Sequence, residues 1–206
     1  KLLFRNRQEL GPISAQGVFG PYNSDPLKAY QFYRNLGVDS FDFHFDQESS
    51  DENASQEFVE KMQKVAEIAF TEEGEQGLRK IKFFGQLFKQ LDSKTRQENF
   101  CGSGKTYLVL DAKNNAFTCP WAVNNPEESV GSGTDLDPNR LQPLKNSLIS
   151  TNNCDKCWAK YLCGGGCMWA HKKATGDRHK VDIVYCERTR ALISTGILYY
   201  YKLRKV

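Results

Sequence analysis

The sequence predicts an α/β fold over residues 1–95, followed by a small cysteine-rich α+β part over 96–206 with a β-hairpin and helices. Three observations carry that expectation. Strand and helix patterns alternate through the first ninety or so residues, the character changes near residue 95, and four of the seven cysteines crowd into residues 154–167, CDKCWAKYLCGGGC. Charged residues make up 26% and hydrophobic residues 39%, ordinary values for a soluble protein. No apolar run approaches the ~20 residues that cross a bilayer. A formal charge of +3 is too weak to argue for nucleic acid. Neither a membrane nor a nucleic acid is therefore expected as a partner, and a cytoplasmic location is expected.

The elements follow in order. ISAQGVF (13–19) is a short apolar run suited to a strand. In NSDPLKAYQFYRNLGV, Asp25 suits the cap, Pro26 the first helical position and Gly37 the stop. SFDFHF then sets Phe41, Phe43 and Phe45 on one face and Asp42, His44 and Asp46 on the other. This strand–helix–strand unit reads as parallel α/β. DQESSDENAS (46–55) is a polar loop. After it, Phe58, Met62, Val65 and Ala69 form one helical stripe, and Leu78, Ile81, Phe84, Phe88 and Leu91 form the stripe of a second helix. Both stripes are read as core-facing.

Beyond residue 95, KTYLVLDAKNNAFTCPW reads as a hairpin with Asn114 and Asn115 at its turn, since Asn tolerates φ > 0. Residues 122–153 are loop-rich in Asn, Pro, Gly and Ser. After Cys186 an amphipathic helix closes the chain.

The cysteines carry the chemistry. The N-terminus KLLFRNRQEL has no initiator Met and no signal-peptide apolar region, so the chain is expected to begin inside a larger protein. Without a secretion signal, disulfides explain seven cysteines poorly, and an odd count would leave one unpaired. The spacing is C-x17-C (Cys101, Cys119), then C-x2-C-x5-C-x3-C (Cys154, Cys157, Cys163, Cys167), then Cys186. Seven thiols exceed the four that one zinc ion or one cubane cluster takes. Two metal sites are implied, with one ligand position missing. Gly164, Gly165 and Gly166 let the backbone fold sharply and could offer amide N–H groups to cluster sulfides. Zinc and iron–sulfur both remain open on spacing alone.

In cysteine order and central spacing the chain resembles the SPASM domain, the C-terminal extension of many radical S-adenosylmethionine (AdoMet) enzymes. That family's pattern has a glycine five residues before the second cysteine, where this sequence has Asn114. ISAQGVFGPYNSDPLKAYQFYRNLGVDSFDFHF is similar to the late strands and helix of the partial TIM-type barrel that precedes the domain. The resemblance implies two auxiliary iron–sulfur clusters, usually of the 4Fe–4S type. Cys101, Cys119 and Cys167 would hold the first, and Cys154, Cys157, Cys163 and Cys186 the second. Members with a further cysteine between the positions of Cys101 and Cys119 have four protein ligands on the first cluster. This chain has none there, which leaves either an open iron or a non-cysteine ligand.

The resemblance further implies a maturase that crosslinks or oxidises a residue of a peptide or protein. The intact enzyme would use AdoMet, a third 4Fe–4S cluster and an external electron donor. The C-x3-C-x2-C triad of that third cluster is missing: three residues beyond Cys163–Cys167 stands Ala170. The chain is thus expected to be the C-terminal part of such an enzyme, inactive without the missing N-terminal barrel half. Pro120 and Trp121 follow Cys119 where sulfatase-maturing members have an Asp, which argues against that subclass. No catalytic residue and no AdoMet-binding residue can be assigned. A non-catalytic iron–sulfur or zinc module for electron transfer or peptide docking is the alternative. His44 is read as a structural or exposed histidine, and His171 and His179 as solvated loop residues. Trp121, Trp158 and Trp169 are read as shields for a cluster. The Gly104–Lys105–Thr106 echo of a phosphate loop is discarded, because position 99 is Asn where that motif needs Gly.

Overall fold

The structure is a computed structural model that describes residues 2–205, with side chains from residue 4 onward. Two compact units divide the chain. One runs to Thr95 and takes in the last helix from Ile183; the other is Arg96–Asp182. The sequence reading groups that last helix with residues 96–206, whereas its packing partners are helices of the first unit.

In the first unit, β1 (Ser14–Phe19) and β2 (Ser40–Phe45) pair in parallel, with Ala15 opposite Phe41 and Phe19 opposite Phe45. Helix α1 (Pro26–Asn35) is the crossover. Its start is fixed as the sequence predicts: Asp25 accepts from the Lys28 amide at 2.9 Å, and Pro26 opens the first turn. Gly37, at φ 78°, takes the left-handed position that ends it.

Helix α2 spans Glu52–Lys80. It begins four residues earlier than the predicted loop allows, because the Asp51 carboxylate accepts from the Ala54 amide at 2.8 Å and caps the first turn. The stripe Phe58, Met62, Val65 and Ala69 is almost wholly buried. Gly74, at φ 61° and ψ −134°, kinks the helix. The second predicted stripe is broken between two helices. Leu78 lies in the last turn of α2, Ile81 is extended and bridges in parallel to Phe41, and Phe84 and Phe88 lie on α3 (Lys82–Ser93). The period survives because Leu78, Ile81, Phe84 and Phe88 all reach the same core. Phe19, Phe43, Phe45 and Phe58 meet there ring to ring, with centroids 5.2–5.8 Å apart between Phe19 and Phe43, Phe19 and Phe58, and Phe45 and Phe58. Alternation on β2 is imperfect: Asp42 is buried too, and its carboxylate is held by Lys82 and by His44 Nε2 at 2.6 Å. His44 itself is exposed.

The second unit is built from short pieces. Strands β3 (Val109–Leu110), β4 (Asn115–Phe117) and β5 (Ser129–Ser132) form an antiparallel sheet in that order. Asn114 makes the predicted turn at φ 65°, while Asn115 is already in the strand. Asp111 ties this turn, accepting from the Lys113 and Asn115 amides at 2.8 Å each. Single helical turns, Leu148–Thr151 and Lys160–Cys163, precede α4 (Met168–Thr175). Helix α5 (Ile183–Arg204) belongs to the first unit; it starts three residues before Cys186 rather than after it. Among the described residues no helix is long and apolar enough to cross a membrane.

Candidate metal centre

None of the seven cysteines is in a disulfide. Cys101 precedes the loop that leads to β3, Cys119 follows β4, and Cys167 caps α4. Although far apart in sequence, the three line one pocket of the second unit together with Ser103, Met168 and Trp169. The pocket is partly open to solvent, and its cavity volume is about 30 Å³. Ser103 Oγ donates to the Thr118 carbonyl at 2.7 Å, which ties the Cys101 loop to the strand end that carries Cys119.

The glycine turn delivers the third thiol. Gly164, Gly165 and Gly166 take φ of 72°, 87° and 80°, three successive left-handed residues. Space excludes side chains as well: a Cβ on Gly165 would lie 2.6 Å from Leu148 Cβ. The Gly164 amide is taken by the Lys160 carbonyl at 2.8 Å, so it is not offered to a cluster as expected. The Gly165 carbonyl is held by Asn152 Nδ2 at 2.6 Å and by His171 Nε2 at 3.3 Å.

His171 is therefore no solvated loop residue. It is fully buried, and its Nδ1 accepts from the Asp182 amide at 3.2 Å, leaving Nε2 as the donor. Burial holds its pKa below the usual histidine range. Both ring nitrogens are committed, Nε2 to the turn and Nδ1 to the Asp182 amide, which removes His171 as a spare ligand. His179 is half-buried, with Nδ1 3.4 Å from Asn152 Oδ1. Of the three tryptophans read as shields, only Trp169 is buried and in the pocket; Trp121 and Trp158 are 45% and 57% exposed.

The thiols feel one another. Burial pushes Cys167 up to about 11, the Ala170 and Trp169 amides pull the other way, and Cys101 and Cys119 push up again. Cys119 is raised by burial, eased by the Trp121 and Ala122 amides and raised by Cys101. A cationic centre reverses that balance, because a bound metal deprotonates its thiol ligands outright. Three thiols that line one pocket without closing on one point are a donor set for a group larger than a single ion.

Cys154 and Cys157 lie together on one turn, where the Cys157 amide donates to the Cys154 carbonyl at 2.9 Å. Burial raises the Cys154 pKa, and Cys157 and Asp155 add to it. Cys163 ends the turn Lys160–Cys163. Cys186 stands in the first turn of α5, in the first unit. Among the described residues no three of His, Cys, Asp and Glu converge closely enough for a single metal ion.

Four residues around the first pocket escaped the sequence reading. Glu128 is 5% exposed; its carboxylate is held by Lys172 and, at 2.7 Å, by Arg178. Burial opposes its ionisation, but the Lys172 hydrogen bond and both cations outweigh burial and keep its pKa below the usual range. The partners lie 44 and 50 residues further on, so no local spacing announces them. Tyr107 is pushed up to about 12 by burial, by the charges of Cys101 and Cys119, and by a hydrogen bond to Cys101.

With the fold and the thiols placed, the chain can be set beside known proteins. No family model matches it, and no curated protein does. Solved structures do. The fold resembles that of anSMEcpe. Native anSMEcpe with bound AdoMet matches with a TM-score of 0.69 over 98% of this chain and 59% of that one, at 12% identity. Native anSMEcpe with bound AdoMet and Kp18Cys peptide matches equally, at 0.69 and 12%, over 98% of this chain and 60% of that one. The polyhistidine-tagged form with bound AdoMet gives 0.67 and 12%, over 98% and 57%. Such an identity shows the fold alone. The chain spans about three-fifths of the length of these proteins.

Proposed function

We propose that this chain is the cluster-bearing C-terminal part of an AdoMet-dependent radical maturase of the SPASM type, acting on a residue of a peptide or protein. The observation that carries the reading is the meeting of Cys101, Cys119 and Cys167 around one pocket. Support comes from a fold followed across 98% of the chain by proteins with AdoMet bound, one of them also with a peptide.

In this reading Cys101, Cys119 and Cys167 hold one iron–sulfur cluster, and Cys154, Cys157 and Cys163 supply thiolates to a second. A zinc ion would need its thiolates within ~4 Å of one another, given Zn–S bonds of about 2.3 Å. A cluster spreads its ligands over several irons and accepts wider spacing, which suits thiols that line a pocket without closing on one point. When bound, such clusters supply one-electron chemistry. The chain's own part is to hold and shield. Trp169 and Met168 cover the pocket with apolar surface, the Trp169 and Ala170 amides face the Cys167 sulfur, and Tyr107 donates to Cys101. No C-x3-C-x2-C triad is present, and no residue of this chain is assigned to AdoMet or to the third cluster. The remaining barrel strands, the electron donor and the peptide lie outside it.

Anaerobic purification followed by iron, sulfide and zinc analysis tests the reading. It predicts a brown protein with about eight irons and matching sulfide for two four-iron clusters. A colourless chain carrying two zinc ions would sink it.

A further inference from the structure

Building on the first cluster of that reading, we propose that the Glu128 carboxylate fills the fourth ligand position of the centre held by Cys101, Cys119 and Cys167. Three thiolates leave one iron of a four-iron cluster without a protein ligand. Among the side chains that line the pocket with those thiols, Glu128 is the one carboxylate. It is 5% exposed, a depth at which an acid is kept only for partners worth its desolvation. The position is also built. Glu128 ends the turn Pro126–Glu128, whose start is capped by the Asn125 side chain, and β5 begins at the next residue.

Both carboxylate oxygens are already oriented, Oε1 by Lys172 and Oε2 by Arg178 at 2.7 Å. Those bonds do not exhaust it, since a carboxylate offers about four acceptor sites. Ligating carboxylates are themselves hydrogen-bonded by a surrounding shell, and this pair has that form. Lys172 lies on α4, the helix that Cys167 caps, so one element carries both a thiol ligand and half of the clamp. Two cations against one carboxylate leave surplus positive charge, which suits an anionic thiolate-bound centre. On binding, a carboxylate oxygen replaces a solvent ligand on the iron, and no electron moves.

The test uses the full chain with Cys154→Ala and Cys157→Ala, so that the first centre alone gives a signal. It is loaded anaerobically with iron and sulfide, and the electron paramagnetic resonance spectrum of the reduced cluster is read with and without cyanide. With Glu128 in place the spectrum should ignore cyanide. Glu128→Ala should open the iron, and cyanide should then shift the g values. Glu128→Cys should keep the full four-iron content and remain indifferent to cyanide, as a thiolate takes over the position. A parent spectrum that shifts with cyanide, or an Ala variant as indifferent as its parent, overturns the assignment. If Glu128→Ala fails to fold, the Cys variant decides: loss of iron to below the parent content overturns the proposal. A parent chain that binds no iron overturns the cluster reading itself, and the role of Glu128 with it.

Discussion

The two units of this chain are stabilised by different means. The first is held by a large apolar core in which β1, β2 and helices α2, α3 and α5 bury aromatic rings against one another. Each fully buried Phe there contributes on the order of 1.5–3 kcal/mol. The second has three short strands, single helical turns and the helix α4, with buried apolar side chains that include Phe117, Val130, Leu144, Leu148 and Met168. Polar ties add to that packing: Ser103 to Thr118, Asn152 and His171 to Gly165, and Lys172 and Arg178 to Glu128. A unit so rich in turns and polar ties is what a metal centre can complete, because metal binding energy in small domains is folding energy. The lesson is that burial builds a scaffold in one place while thiols and left-handed turns build a site in the other.

That contrast can be broken from either side. The largest effect is expected in the first core. Phe84→Ala removes a fully buried ring and should cost about 3–5 kcal/mol in denaturant unfolding, while the metal content of the protein that remains folded stays as it was. A parallel loss of metal would mean that the units are not separable in this way. Next comes the glycine turn. Gly165→Ala forces a left-handed φ on a Cβ and sets it against Leu148, so it should cost at least about 1–2 kcal/mol. Hydrogen exchange should localise that loss to residues 96–182 and leave the amides of α2 slow.

The smallest effect concerns charge on the surface of the first unit. Asp92 accepts from Arg79, Tyr200 and Arg204, and these bonds hold its pKa down to about 2. A depressed folded pKa gives stability that is present above the unfolded value of about 3.9 and is lost as pH falls toward the folded value. Asp92→Asn should therefore flatten the loss of stability between about pH 4 and pH 2, read by denaturation at a series of acid pH values. An unchanged slope would show that this exposed network contributes nothing measurable.

Much of the first unit was legible because its signals are local. Asp25, Pro26 and Gly37 bound a helix by cap chemistry, and the alternation of Phe41, Phe43 and Phe45 marks a strand with one face in the core. The break at Ile81 was not legible, since an extended residue between two helices keeps the same apolar period. In the second unit, Asn114 and the three glycines announce their left-handed turns through residue type. The state of His171 does not follow from sequence, because its burial depends on a carbonyl six residues away and an amide eleven away. Glu128 was invisible for the same reason at longer range: charged partners 44 and 50 residues distant leave no spacing to read.

The central claim is that Cys167 leaves its neighbours in CDKCWAKYLCGGGC and joins Cys101 and Cys119 at a separate centre. Iron and sulfide analysis of Cys167→Ala beside the parent chain tests it most directly. The account predicts that about half of the iron is lost, with the signal of the remaining cluster unchanged and Cys101→Ala giving the same result. Full iron content in Cys167→Ala, or loss of all of it as expected for a single four-thiol site in residues 154–167, would contradict the account.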